Sequence, residues 1–184
     1  MTSTDAADAA DAADAAGRLA RRRVDKFEER RRLLADAALQ TLAERGYART
    51  SLREIAQNSE YSHGVLHYYF TDKLDLIAHA VRQYEAVCVT RYDEVVAQAV
   101  TADQLRDEFA DTFFAGMHSE AAIHRLWYDL RNQSMFDDSF RADVIEIERR
   151  REEMIWRVVE RFCELSGTHP AVTPAVAYIA LDGI

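Results

Sequence analysis

Thr50-Ser-Leu-Arg-Glu-Ile-Ala-Gln-Asn-Ser-Glu-Tyr-Ser-His-Gly-Val-Leu-His-Tyr-Tyr-Phe70 decides the fold. Ser51 followed three residues later by Glu54 has the form of a capping box, in which hydroxyl and carboxylate satisfy each other's free backbone amides. A helix of about two turns therefore starts there, with Leu52, Ile55 and Ala56 facing inward. Asn58, Ser59 and Glu60 interrupt it. Ser62 can cap a second short helix ending near Phe70, which Leu66 and Phe70, four apart, would anchor to the core. That second helix offers His63, Gly64, Val65, His67, Tyr68 and Tyr69, where a buried helix would need apolar side chains. A helix that enters the major groove needs this combination: a compact partner helix, a small residue where backbone nears phosphate, and exposed donors toward base edges.

The flanks extend the helical pattern in both directions. Leu34, Ala37, Ala38 and Leu42 keep helical spacing and Gly46 fits the position just past a helix end, which predicts a first helix over 27–45. Asp72 can cap a fourth helix whose first turn contains Asp75, favourable for the helix dipole. From Ile77 through Ala80, Val81, Tyr84, Cys88, Tyr92 and Val95 to Ala99 one face stays apolar, which predicts a helix reaching about residue 100. Three more amphipathic segments follow, carried by Leu105 to Met117, Ile123 to Leu130, and Phe140 to Leu165, where Gly167 stops the last. After Pro170 and Pro174 the apolar run from Ala175 to Ile184 begins a helix that the chain end is expected to cut short. With only six Gly and two Pro, the chain reads as all-α.

Composition narrows the function classes. No window approaches the roughly 18–20 apolar residues that span a bilayer, and the start lacks the charge and apolar regions of a secretory signal, so a cytoplasmic protein with no membrane partner is expected. Cys88 and Cys163, far apart and among apolar residues, read as buried reduced thiols. The net charge of −9 is unevenly spread: residues 18–75 hold twelve Lys/Arg against nine Asp/Glu, and residues 76–184 eleven against nineteen. An N-terminal part that meets phosphates and a C-terminal part that does not would have this asymmetry. Residues 5–16 repeat Asp-Ala-Ala and have too little apolar bulk to offset chain entropy, which predicts a disordered tail; an Ala-rich helix extension is the alternative. The basic stretch after it, Arg18 to Arg32, fits a phosphate-contacting arm or a solvated helix face. The expected organisation is a tail and arm over 1–25, a three-helix DNA-binding head over 26–75, and a helical ligand-binding and dimerisation domain over 76–184.

Leu34-Ala-Asp-Ala-Ala, Glu44-Arg-Gly-Tyr, Thr50-Ser-Leu-Arg-Glu-Ile-Ala, Ser62-His-Gly-Val-Leu-His-Tyr-Tyr-Phe and Lys73 together resemble the DNA-binding head of TetR-family repressors. The resemblance spans about residues 30–75, and the Trp127–Arg151 region is similar to the BetI-type subgroup. It implies a homodimer on a palindromic duplex-DNA operator, a helix-turn-helix formed by helices 2 and 3, a C-terminal ligand pocket for a small-molecule effector, and no cofactor. Carried over, the groove-facing residues are His63, Gly64, Val65 and His67, with Tyr68 and Tyr69 toward the backbone and Lys73 on phosphate. Ser51, Arg53 and Ser62 complete the expected DNA-binding residues. Two positions depart from the family's pattern: Glu60 stands where a turn Gly is usual, and His67 where Tyr is usual. A positive φ at Glu60 would strain the turn.

For the ligand pocket, the apolar and aromatic candidates are Phe109, Phe113, Met117, Trp127 and Tyr128, with His124 as a polar member. Repression relieved by a small molecule is the function these features imply. Activation and a helix-turn-helix scaffold that binds a protein partner are the alternatives. An enzyme using His118, Glu120, His124 or Asp129 finds no support, because no nucleophile–base spacing, phosphate loop or zinc signature accompanies them. His63 and His67 have the i, i+4 spacing of metal ligands, yet no third ligand lies near in sequence, so no metal is expected.

Overall fold

The computed structural model describes residues 4–183. Nine α-helices and one short 3₁₀ turn account for its regular structure, with no strand among the described residues: α1 Thr4–Arg45, α2 Leu52–Gln57, α3 His63–Tyr69, α4 Lys73–Cys88, α5 Asp93–Gln98, α6 Ala102–Ser119, α7 Ala121–Gln133, the 3₁₀ turn Asp138–Phe140, α8 Arg141–Ser166 and α9 Pro174–Asp182. The all-α fold expected from the sequence is the fold observed.

The caps explain most boundaries. Ser51 Oγ accepts the Glu54 amide at 3.3 Å while Glu54 Oε2 accepts the Ser51 amide at 2.8 Å, so the capping box is complete. Ser62 caps α3 through the Val65 amide, and Asp72 caps α4 through the Asp75 amide at 2.9 Å. Gly46, at φ 77, ends α1 in a left-handed conformation that a side chain would resist, and Gly167, at φ 64, does the same for α8. Glu60 needs no such conformation, since no described residue other than glycine has positive φ. Ser59 Oγ shapes that turn by accepting the Tyr61 amide at 3.3 Å.

Two expectations give way here. In place of a disordered tail over 5–16, α1 runs back to Thr4, which is the helix extension held as the alternative; residues 1–3 lie outside the described residues. Alanine has the highest helix propensity, and aspartates near a helix N-terminus oppose no dipole, so the repeat extends a helix already anchored by Leu34, Ala38 and Leu42. The long helix expected from Lys73 to about residue 100 is divided after Cys88. Thr90 Oγ1 turns back onto the Val87 carbonyl at 3.0 Å, and Arg157 takes the Val89 carbonyl at 2.6 Å, which replaces the helical bonds the break forgoes.

The buried residues form two clusters. One unites Leu34, Leu42, Ile55, Leu66, Phe70 and Ile77 of the N-terminal helices with Leu126, Trp127 and Leu130 of α7 and Ile147 of α8. The other joins Tyr92, Leu105, Met154, Ile155, Val158 and Tyr178. The boundary expected at residue 75 therefore falls inside α4, a helix that packs on both α1 and α8.

Candidate nucleic-acid interface and ligand cavity

Helix α3 is held from behind by Leu66 and Phe70, 0% and 1% exposed. Fully burying such side chains contributes roughly 1.5–3 kcal/mol each, and this fixes which face of α3 turns outward. His63, Gly64, His67 and Tyr68 occupy that outward face, Tyr68 at 73% exposure. The His63 and His67 rings meet edge to face with centroids 4.4 Å apart. Arg53 on α2 is exposed, and Ser51 and Ser62 are exposed at their helix starts.

Three of the residues expected on DNA are placed differently. Val65 and Tyr69 are half-buried against the head's core, Tyr69 with its ring centroid 4.8 Å from that of Phe27. Lys73, expected on phosphate, is half-buried and turned inward: its Nζ donates to the Tyr47 carbonyl at 2.6 Å and stands 3.9 Å from the centre of the Tyr47 ring. Burial lowers its pKa, while Glu54 and Asp129 oppose that shift. This lysine fastens the loop after α1, and its charge is already engaged.

Behind the head lies a cavity of about 90 Å³ lined by residues of α4, α6, α7, α8 and α9. Phe113, Met117, His124, Trp127 and Tyr128 all face it. Phe109, grouped with them on sequence grounds, does not line it; its ring packs on Tyr92 at 4.7 Å and on Phe113 at 5.8 Å in the second core cluster. Sequence reasoning missed Arg91, Tyr92, Arg151 and Tyr178 as lining residues. Of these, Arg151 left a signal, a charge on the apolar seam of a long helix.

The cavity's fixed charges are paired. Arg151 Nε donates to Glu85 Oε2 at 2.9 Å, Nη2 donates to the other carboxylate oxygen, and the guanidinium stacks 4.4 Å over Trp127. Burial would lower the Arg151 pKa, but the Glu85 carboxylate outweighs it and holds the guanidinium firmly charged. Arg91 donates to Glu120 at 2.5 Å, and the Tyr84 hydroxyl donates to the same carboxylate oxygen. Arg91 also crosses so close to Gly116 that a Cβ there would meet Nη1 at 2.5 Å. His124 is pushed toward its neutral form, first by burial and then by Arg151. Its Nε2 and the Trp127 Nε1 are buried without a protein partner.

The residues weighed as acid–base groups are dispersed. His118 is exposed and bonds the Phe114 carbonyl, Glu120 holds Arg91, and Asp129 accepts the Tyr47 amide. Among the described residues no three His, Cys, Asp or Glu side chains converge as metal ligands, and no helix is long and apolar enough to cross a membrane.

A two-helix head with an exposed second helix, joined through α4 to a helical body enclosing a cavity, has a helix-turn-helix architecture. Residues 34–80 match the family model described as "Bacterial regulatory proteins, tetR family". Over those residues the chain is similar to that family. It is 31% identical over 112 residues to the HTH-type transcriptional regulator BetI of Burkholderia lata, covering 60% of this chain and 57% of that relative. The HTH-type transcriptional repressor KstR2 of Rhodococcus jostii is 25% identical over 186 residues, 84% of this chain and 91% of that one. The chain thus spans little more than half the length of the BetI relatives it matches. Among solved structures, a TetR transcription regulator from Haloarcula marismortui superposes with TM-score 0.67 at 19% identity, covering 87% of this chain and 84% of that one. The regulator FadR from Bacillus subtilis, in complex with stearoyl-CoA, gives 0.66 at 17%, covering 82% and 80%. These likenesses show the fold.

Proposed function

We propose that the chain is a transcriptional repressor that binds a palindromic duplex operator as a homodimer and leaves it when a small molecule occupies the cavity. The observation that carries this reading is the outward face of α3. His63, His67 and Tyr68 project donors and aromatic edges from a helix whose other side is fully engaged, beside the exposed Arg53 of α2. A two-fold assembly would bring two such faces to successive major grooves, about 34 Å apart. A ligand that favours a different spacing would then disfavour DNA by the same free energy. The names of the KstR2 repressor and of the stearoyl-CoA complex of FadR support repression and a small-molecule effector. A regulator of this kind works in the cytoplasm, where bacterial DNA lies.

The cavity's chemistry narrows the effector. Arg91 and Arg151 already have carboxylate partners, so a charged ligand would compete with an existing pair. Trp127 Nε1 offers a free donor among Phe113, Met117 and Met154. A compact, mostly apolar group bearing one hydrogen-bond acceptor fits these walls. The test is fluorescence anisotropy on the duplex upstream of the chain's own coding sequence, across a salt series. Sequence-dependent, salt-sensitive binding by a species that sediments as a dimer supports the reading; indifference to every duplex removes it.

A further inference from the structure

We propose that the N-terminal extension of α1 is a second DNA-contacting element, a rigid basic strut that grips backbone phosphates flanking the bases read by α3. The proposal rests on the DNA-binding reading above.

Residues 18–32 hold eight Lys/Arg against three Asp/Glu. The strut is helical, so its side chains fall into register. Arg22, Lys26 and Arg30 are spaced by four and stack along one face, and Arg23 is two turns from Arg30 on the same side. Two acids border this stripe, Asp25 three residues from Arg22 and Glu29 three from Lys26, while Glu28 falls elsewhere on the helix.

The direction of the stripe follows from its C-terminal member. Arg30 lies 4.7 Å over the Tyr61 ring and shares a shallow groove with Ser62, Gly64 and Tyr68. One turn before it, Phe27 touches Tyr68 and Tyr69, with centroids at 6.3 and 4.8 Å. The stripe thus borders the outward face of α3 and continues past it. Lys26 adjoins Phe27, and Arg22 stands about 6 Å further along the axis at roughly 1.5 Å per residue. Arg22, Arg23 and Lys26 are exposed, and no described residue pairs with them.

Unpaired cations at this spacing, continuous with a base-reading helix, are complementary to the phosphates of the same duplex beyond the bases read. They would position the head and add affinity without adding sequence preference. Being helical before binding, the strut would also forgo the ordering cost that a disordered arm incurs.

The test compares the full chain with R22A/R23A/K26A and with R22K/R23K. Alanine preserves helix propensity, and far-UV circular dichroism verifies this. Two probes are used, the duplex upstream of the chain's own coding sequence and a random duplex of equal length. Roughly tenfold weaker binding of the alanine variant to both is expected, with the salt slope reduced by about 0.9 for each phosphate no longer neutralised. The preference ratio between the duplexes should hold, hydroxyl-radical protection should vanish only on the flanks, and the lysine variant should bind like the wild type. Equal affinity, slope and footprint in the alanine variant would overturn the strut while leaving the DNA-binding reading intact. Wild-type chain that ignores both duplexes overturns both, whereas cations needed only for binding to phosphatidylglycerol vesicles overturn the strut alone.

Discussion

Asp129 Oδ2 accepts the Tyr47 amide at 2.9 Å, and Asp129 belongs to the helix that carries His124, Trp127 and Tyr128 into the cavity wall. The other side of the Tyr47 backbone is held as well, since Lys73 at the start of α4 donates to its carbonyl. The loop that connects α1 to the reading helices is therefore clamped between a cavity helix and the first turn of α4. Gly46 precedes Tyr47 in a left-handed conformation, φ 77, which a side chain would resist, while the Asp129 oxygen lies only at ordinary contact distance from where its Cβ would stand. A shift of α7 on ligand binding would be transmitted to the head through this clamp.

Asp129→Asn tests the clamp. The amide oxygen can still accept from Tyr47, but the bond loses its charge, and hydrogen bonds to charged groups contribute about 1.5–3 kcal/mol. A loss of about 1 kcal/mol in unfolding free energy is expected, with DNA affinity nearly unchanged and the ligand's effect on it reduced. Full ligand response in the asparagine variant, measured as the ratio of operator affinities with and without effector, would show that α7 acts by another route.

Glu85 and Arg151 make the second testable element, a buried ion pair whose side chains are 2% and 8% exposed. Removing one partner strands a charge, at a cost of about 3–5 kcal/mol, whereas replacing both with apolar residues of similar size is often neutral. Glu85→Ala should thus lower the urea midpoint strongly, and Glu85→Leu with Arg151→Met should recover most of it. The double variant also removes the cation stacked on Trp127, so it should fold well and answer poorly to effector.

His67→Ala should leave stability unchanged, because the ring is exposed and its contact is with another exposed ring, His63. If His67 meets a base edge, operator affinity falls by about 1–3 kcal/mol while binding to random duplex changes little. Leu66→Ala, one residue away, is the contrasting case. Its side chain is fully buried, and truncation should cost about 2–5 kcal/mol of folding free energy, abolishing both kinds of DNA binding together.

These contrasts show which features are legible in the sequence. Ser51, Glu54, Ser62 and Asp72 announce their helices because a cap is a local bond between residues three apart, and each cap forms. The outward face of α3 is equally local, fixed by the spacing of Leu66 and Phe70. The inward turn of Lys73 is not legible, because its partner, the Tyr47 carbonyl, lies 26 residues away and only tertiary packing brings them together. Glu85 and Arg151 are 66 residues apart, so their pairing is set by how α4 crosses α8. Tyr178 reaches the cavity through the docking of α9 on α8, which helical periodicity does not report. The break after Cys88 is hidden by an apolar stripe that continues in register across it.

Histidine titration gives the last prediction. His79 and His124 both have pKa values lowered from the ordinary 6.5, in each case first by burial and then by a neighbouring arginine, Arg31 for His79 and Arg151 for His124. The unfolded chain therefore takes up protons at these sites as pH drops through about 6.5, while the folded chain still resists. Stability is complete above that value and declines on acidification until the folded-state values are passed. Carboxylates held below their ordinary range push the same way only nearer pH 4.5: at Glu54 by bonds from Ser51, and at Glu120 by bonds from Tyr84 and Arg91 that outweigh burial. Between about pH 7 and 5.5 the decline in melting temperature should thus be largely a histidine effect. His79→Gln with His124→Gln should flatten it, and an unchanged slope in that double variant would place the titrating groups elsewhere.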